Sequence, residues 1–111
     1  MNWISLNTES QLQELILKSM VKVQVIFKHS IRCSISSVVK DRLERKSAPP
    51  DVDFHYLDLI NYRELSRLIS ERFSVEHESP QILVIRNGQC IYHESHMGIR
   101  MDEISVQLMA E

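Results

Sequence analysis

Ten consecutive residues, FKHSIRCSIS at positions 27–36, hold most of the side chains in this sequence that could act together on a substrate. Cys33 is the candidate nucleophile. A thiolate attacks disulfides and binds soft metals, whereas the thiol, which ionises near roughly pH 8.5, does neither well. Three positions on, where a C-x-x-C motif would supply a second sulfur, stands Ser36. A hydroxyl cannot close a disulfide. A redox cycle at Cys33 would therefore be a monothiol cycle, with Ser36 limited to donating a hydrogen bond to the sulfur. Lys28, His29 and Arg32 are near in sequence and could add positive potential, although His29 reads equally well as a polar turn residue. The competing reading makes Cys33 an inert buried side chain, a common fate of free cysteine.

The elements around this stretch decide how the sulfur is presented. Val21 to Phe27 is β-branched and almost continuously apolar, as in a strand covered on both faces. Ser34 to Lys46 reads as a helix, with Ile35, Val38, Val39 and Leu43 as its apolar stripe and Lys40, Asp41, Arg42, Glu44 and Arg45 on its wet face. Cys33 then sits at a helix N-terminus, where unsatisfied N–H groups and the positive dipole end favour a thiolate. Ala48-Pro49-Pro50 ends that helix. Upstream, Thr8 or Asn7 can cap a helix carrying Leu12, Leu15, Ile16 and Met20, and a short strand near Trp3 to Leu6 could precede it. Trp3 is expected to pack on that first helix. Downstream, Asp53 to Ile60 reads as a strand, with Phe54 and Tyr56 as core residues on opposite faces. Asn61 or Asp58 can cap the next helix, which presents Leu65, Leu68, Ile69 and Phe73. After a loop through His77-Glu78-Ser79-Pro80, strands Gln81 to Arg86 and Gln89 to Glu94 meet at Asn87-Gly88, a strong hairpin signal because both residues tolerate positive φ. A last helix, about Asp102 to Met109, turns Ile104, Leu108 and Met109 inward.

Strands alternating with helices imply parallel βαβ units, and a closing hairpin makes the sheet mixed. The expected class is α/β, a central mixed sheet of four to five strands flanked by helices. A length of 111 residues favours one domain over 1–111, large enough to bury a core without staples. A net charge of −2 gives no field for nucleic acid, and no apolar run is long enough to span a membrane. The opening MNWISLNTES lacks the basic-then-apolar order of a signal peptide, and two cysteines do not form a secreted disulfide framework. A reducing cytoplasm is the expected compartment.

The element order, with a cysteine opening the helix after the first main strand and a proline before the hairpin, resembles the thioredoxin fold. The segments FKHSIRCSIS and SPQILVIRNGQCIYHESHMGI, with the opening Trp3, are similar to the YtxJ family, small thioredoxin-like proteins of the bacillithiol system proposed to be monothiol bacilliredoxins. The resemblance implies a thiol–disulfide oxidoreductase that removes a low-molecular-weight thiol, bacillithiol, from mixed disulfides on proteins. Cys33 would be the nucleophile and Ser36 would stand in the resolving position. It implies a cis bond at Ser79-Pro80 facing Cys33, and substrate contacts from Arg32, Ser34, Ser79 and Pro80. It also implies no tightly bound cofactor, bacillithiol as co-substrate, and S-thiolated client proteins as partners. The family usually places proline directly after the cysteine. Here Ser34 stands instead and keeps an N–H that could reach the sulfur.

Other functions stay open at this level. Cys33 could ligate an iron–sulfur cluster with a small thiol, as monothiol glutaredoxin-like proteins do. The chain could also be a redox-inert interaction module on the same scaffold. Cys90, on a hairpin strand, reads as packing. His93 and His96 lack the further ligands of a zinc set and read as surface residues, so no metal site is expected.

Overall fold

The computed structural model describes residues 1–109. In chain order the elements are β1 (Trp3–Ser5), α1 (Glu9–Lys18), β2 (Val23–His29), α2 (Ser34–Glu44), β3 (Val52–Asp58), α3 (Arg63–Phe73), β4 (Gln81–Arg86), β5 (Gln89–Ser95) and α4 (Met101–Met109), with a single 3₁₀ turn at His96–Gly98. The sheet order is β1-β3-β2-β4-β5. Strands β1, β3 and β2 run parallel, and β4 and β5 are antiparallel additions. This is the expected mixed α/β sheet, with the leading strand included.

Side chains alternate along each central strand, so the sheet has two cores. Ile26, Leu57, Leu83 and Ile85 pack with Leu12 and Leu15 of α1 and with Leu65, Ile69 and Phe73 of α3. Val25, Phe27, Ile82 and Val84 pack on the other face with Val39 and Leu43 of α2 and Met101 and Ile104 of α4. Thr8 is the N-cap of α1 and forms a capping box with Gln11. Asn87 and Gly88 adopt φ of 52° and 75°, the tight hairpin their types demand.

Several local expectations are corrected. β2 starts and ends two residues later than apolar character suggested. Val21 is exposed, while Lys28 and His29 remain in the strand because both are buried with hydrogen-bond partners. Met20 lies beyond the end of α1 and is exposed. On α2 the buried stripe is Ser36, Val39 and Leu43, whereas Ile35 and Val38 face outward. Trp3 stacks on Phe27, packs edge-on to Phe54 and Tyr56 and donates to Glu44, placing it on the α2 face instead of against α1. Phe54 and Tyr56 share that face, as a period of two requires. Tyr62 is the N-cap of α3, without a side-chain cap; Asp58 instead accepts from the Ile60 N–H and from Asn61. Met109 is exposed on α4. Arg42, assigned to the wet face of α2, donates to the carbonyls of Met97 and Ile99 and ties the helix to the turn after β5.

Candidate active site

The site lies where β2 and β4 reach the same edge of the sheet. Lys28 pairs with Gln81 across these antiparallel strands, so the residue after Lys28 and the residue before Gln81 come level. These are His29 and Pro80, and the Ser79–Pro80 peptide bond is cis. Beyond His29 the chain makes a tight turn. The Cys33 N–H donates to the Ser30 carbonyl at 3.1 Å, and the Arg32 N–H donates to Ser30 Oγ at 3.3 Å. Cys33 then serves as N-cap of α2. It is partly exposed. Its extended backbone (φ −106°, ψ 115°) matches a cap, and its carbonyl accepts the Ser37 N–H at 3.2 Å. Its side chain makes no capping bond, and among the described residues the Ser34 N–H, which could have reached the sulfur, does not bond to it. Sulfur is a weak acceptor beside the oxygens that usually cap helices. The sulfur therefore stands at the dipole end of α2 with no backbone partner among the described residues.

Ser36 is fully buried in the first turn of α2. Its Oγ accepts the Ser30 N–H at 3.1 Å and lies 2.6 Å from His29 Nδ1. Burial, with Lys40 next in effect, lowers the His29 pKa and favours the neutral ring. The neutral ring has one donor and one acceptor nitrogen, and Nδ1 meets Ser36 Oγ in one of those two roles. No hydrogen bond joins Ser36 to Cys33 among the described residues. Ser36 fastens the end of β2 and the turn to the helix, a positioning job in place of the expected bond to the sulfur. His29, packed against Phe27 and Tyr56, acts through this fastening.

Lys28 is a second correction. Strand alternation turns it to the α1/α3 face, away from α2, and it is 0% exposed. Its Nζ donates to Ser66 O at 3.2 Å, Ser70 Oγ at 3.0 Å and His77 Nδ1 at 3.4 Å. Desolvation lowers its pKa to about 8. All three partners line an open cavity of about 430 Å³, walled also by Ser30, Arg63 and Ser79. Composition had not pointed to Arg63, Ser66, Ser70 or His77. A lysine inside an otherwise apolar strand was the available signal. Arg32 and Ser34 are exposed beside Cys33, as are Ile31, Ile35 and Val38.

Cys90 is apart from this group. It pairs with Ile85, which pairs in turn with Gln24 near the start of β2. The five steps along the strand from Gln24 to His29 span about 16 Å, well beyond the roughly 7 Å between Cα atoms that a disulfide tolerates. Burial raises the Cys90 pKa, and the thiol donates to Tyr92 O at 3.3 Å. Among the described residues, no group of three His, Cys, Asp or Glu side chains is placed to hold a metal ion.

Residues 4–104 match the family model described as monothiol bacilliredoxin BrxC. The chain belongs to the monothiol bacilliredoxin family. Among solved structures it is similar to a putative oxidoreductase with a thioredoxin fold, at 30% identity and TM-score 0.78 over 93% of this chain and 90% of that one. It also shares its fold with thioredoxin from Trypanosoma brucei brucei (14% identity, TM-score 0.76, covering 98% and 93%) and with Malassezia sympodialis thioredoxin (15% identity, TM-score 0.74, covering 96% and 88%). A thioredoxin fold and membership among the monothiol bacilliredoxins give the protein a thiol redox role, and no helix among the described residues is long and apolar enough to cross a membrane.

Proposed function

We propose that this bacilliredoxin strips a low-molecular-weight thiol, bacillithiol, from mixed disulfides on client proteins, with Cys33 as its one reacting sulfur. The observation that carries the reading is a partly exposed cysteine at the N-cap of α2, its sulfur uncommitted, at the edge where the Ser79–Pro80 loop also emerges. Helix-end N–H groups and the dipole favour the thiolate that the reaction needs. Cys33 S⁻ attacks the small-thiol sulfur of the client disulfide. A new S–S bond forms between Cys33 and the small thiol, the old one breaks, and the client sulfur leaves as a thiolate that takes up a proton. A second small thiolate then attacks the small-thiol sulfur on Cys33. This releases Cys33 S⁻ and a symmetric small-thiol disulfide, so the client cysteine is reduced and two small thiols end oxidised. Ser36 cannot intercept the intermediate. Exposed Ile31, Ile35 and Val38 beside Arg32 and Ser34 offer an apolar rim to a protein client, and Ile35 and Val38 share one helix face.

The test is a client protein carrying bacillithiol as a mixed disulfide. Wild-type protein and Cys90→Ser are expected to release it, while Cys33→Ser releases none. Mass spectrometry should find the small thiol on Cys33 during turnover. Release by Cys33→Ser at the wild-type rate overturns the reading.

A further inference from the structure

A lysine is almost never fully buried unless partners stabilise its charge. Lys28 is fully buried in β2, and its ammonium reaches two other parts of the chain. Ser66 O at 3.2 Å and Ser70 Oγ at 3.0 Å belong to α3, while His77 Nδ1 at 3.4 Å belongs to the loop that follows it. An ammonium only donates, so Nδ1 accepts here and the neutral ring carries its proton on Nε2. Ser66 Oγ lies 3.2 Å from the same nitrogen. Ahead of His77 the loop is tied by the Val75 N–H to Ser70 O at 3.1 Å and by Gln81 Nε2 to Glu76 O at 2.8 Å. Beyond it, Ser79 Oγ has no partner among the described residues, and Pro80 O accepts the His96 N–H at 3.0 Å. Among the described residues His77 is therefore the last side-chain anchor before Ser79 and Pro80. Lys28 also pairs with Gln81 across β2 and β4, the register that brings Pro80 level with His29.

We infer that Lys28 is a positioning residue for disulfide exchange: its ammonium holds His77, and His77 sets where Ser79 and Pro80 stand beside Cys33. This deepens the exchange proposed above and rests on it. Lys28 does not act on the sulfur directly, because strand alternation turns it to the α1/α3 face, opposite the helix that Cys33 caps. For stability alone an apolar side chain would suit the position, since desolvation already lowers the lysine's pKa to about 8. The hold also depends on the charge of the ring. Burial, then Lys28, lowers the His77 pKa; Glu78 beside it pulls the other way, and Arg63 on α3 adds to the lowering. Elsewhere on α3, Arg67 is paired with Glu64 and Glu71. The strands present Leu57 and Gln81 opposite Lys28, and α1 brings the apolar Leu12 and Leu15 to this face. Protonating His77 removes the acceptor and sets a second cation against the ammonium, so the hold fails as pH falls through a ring pKa that lies below 6.5.

Two rates separate positioning from the reactivity of the sulfur, both measured in a Cys90→Ser background: release of bacillithiol from a client mixed disulfide, and alkylation of Cys33 by iodoacetamide. Lys28→Met, of similar length but without donors, and His77→Ala should each slow release by about tenfold or more, as a shift of about 1 Å in reacting geometry can. Alkylation should stay within about twofold of wild type. The double variant should be no slower than either single one, because both break the same link. His77→Asn places an amide oxygen where Nδ1 stood and should restore release at pH 7. In the wild type, release relative to alkylation should fall below pH 6.5, and His77→Asn, whose acceptor does not titrate, should lack that fall. Order in the loop is read without chemistry at the His96 N–H, which should exchange with deuterium faster in Lys28→Met and His77→Ala. Should Lys28→Met fail to fold, the two His77 variants decide the matter. Wild-type release by His77→Ala, losses that multiply in the double variant, or an asparagine no better than alanine overturns the assignment. A wild-type protein that leaves the client thiolated overturns the exchange reading instead, and faster His96 exchange in the variants then still supports the hold on the loop.

Discussion

The residue that most changes meaning between sequence and structure is Ser36. In sequence it marks a missing sulfur. In the fold it is a buried clamp, accepting the Ser30 N–H and meeting His29 Nδ1. Ser36→Ala would strand the partly buried Ser30 amide and a buried imidazole nitrogen, at a cost of about 1–3 kcal/mol. Chemical denaturation should show that loss. Because the clamp sets the turn that carries Cys33, alkylation of Cys33 by iodoacetamide should also change in rate, whereas an equally destabilising change at Leu12, in the α1/α3 core, should leave that rate alone.

At the scale of elements, two short connections set where the site can be. The turn after β2 carries Cys33 into α2, and the β4–β5 hairpin fixes how β4, and hence Pro80, lies against β2. That hairpin is docked on the end of α1, where Ser19 O accepts the Asn87 N–H at 2.9 Å and Ser19 Oγ accepts the Gly88 N–H at 2.9 Å. Gly88→Ala meets two obstacles, a φ of +75° and a new Cβ 3.0 Å from Met20 Cε. The methyl is the end of a flexible side chain and can move, so the backbone conformation dominates. The expected loss is about 1–2 kcal/mol, read as a lowered denaturation midpoint with the rate of Cys33 alkylation unchanged.

For the whole molecule, two buried bases shape stability against pH. Lys28 has its pKa lowered by desolvation from 10.5 to about 8. The unfolded chain therefore holds this proton when the folded chain has lost it, and stability rises as pH climbs from about 8 towards 10.5. His55, bonded to Gln24 at 2.7 Å, is lowered from 6.5 to about 4, first by desolvation. Its effect has the same sign in a lower window, so stability falls as pH drops from 6.5 towards 4. Burial pushes the Asp53 carboxyl up, but hydrogen bonds from Lys18, Lys22 and Gln24 outweigh it and hold the group well below the usual range. Its contribution is present above the unfolded value of about 3.9 and is lost as pH falls further. Denaturation midpoints measured from pH 3 to 10.5 should show the acid-side loss shrinking in His55→Gln and the alkaline rise vanishing in Lys28→Met.

Order and type of elements were legible because they depend on local periodicity, turn residues and caps: Leu12 and Leu15 at helical spacing, Asn87-Gly88 between two apolar runs, Thr8 ahead of Gln11. The candidate nucleophile was legible for the same reason, since a cysteine between a strand and a helix must lie near that helix's N-terminus. What lay outside local pattern was the direction of each side chain. One residue of register turns Lys28 away from Cys33 and under α3, and one step around α2 buries Ser36 while exposing Ile35. The cavity joins Arg63, Ser66, Ser70, His77 and Ser79, from α3 and the loop after it, to Ser30 from the turn after β2 and to Leu59 and Ile60 from the turn after β3, segments that no single window of sequence brings together. Only the packing of α3 on the α1/α3 face of the sheet assembles it, because a buried charge such as Lys28 must find its partners wherever tertiary structure puts them.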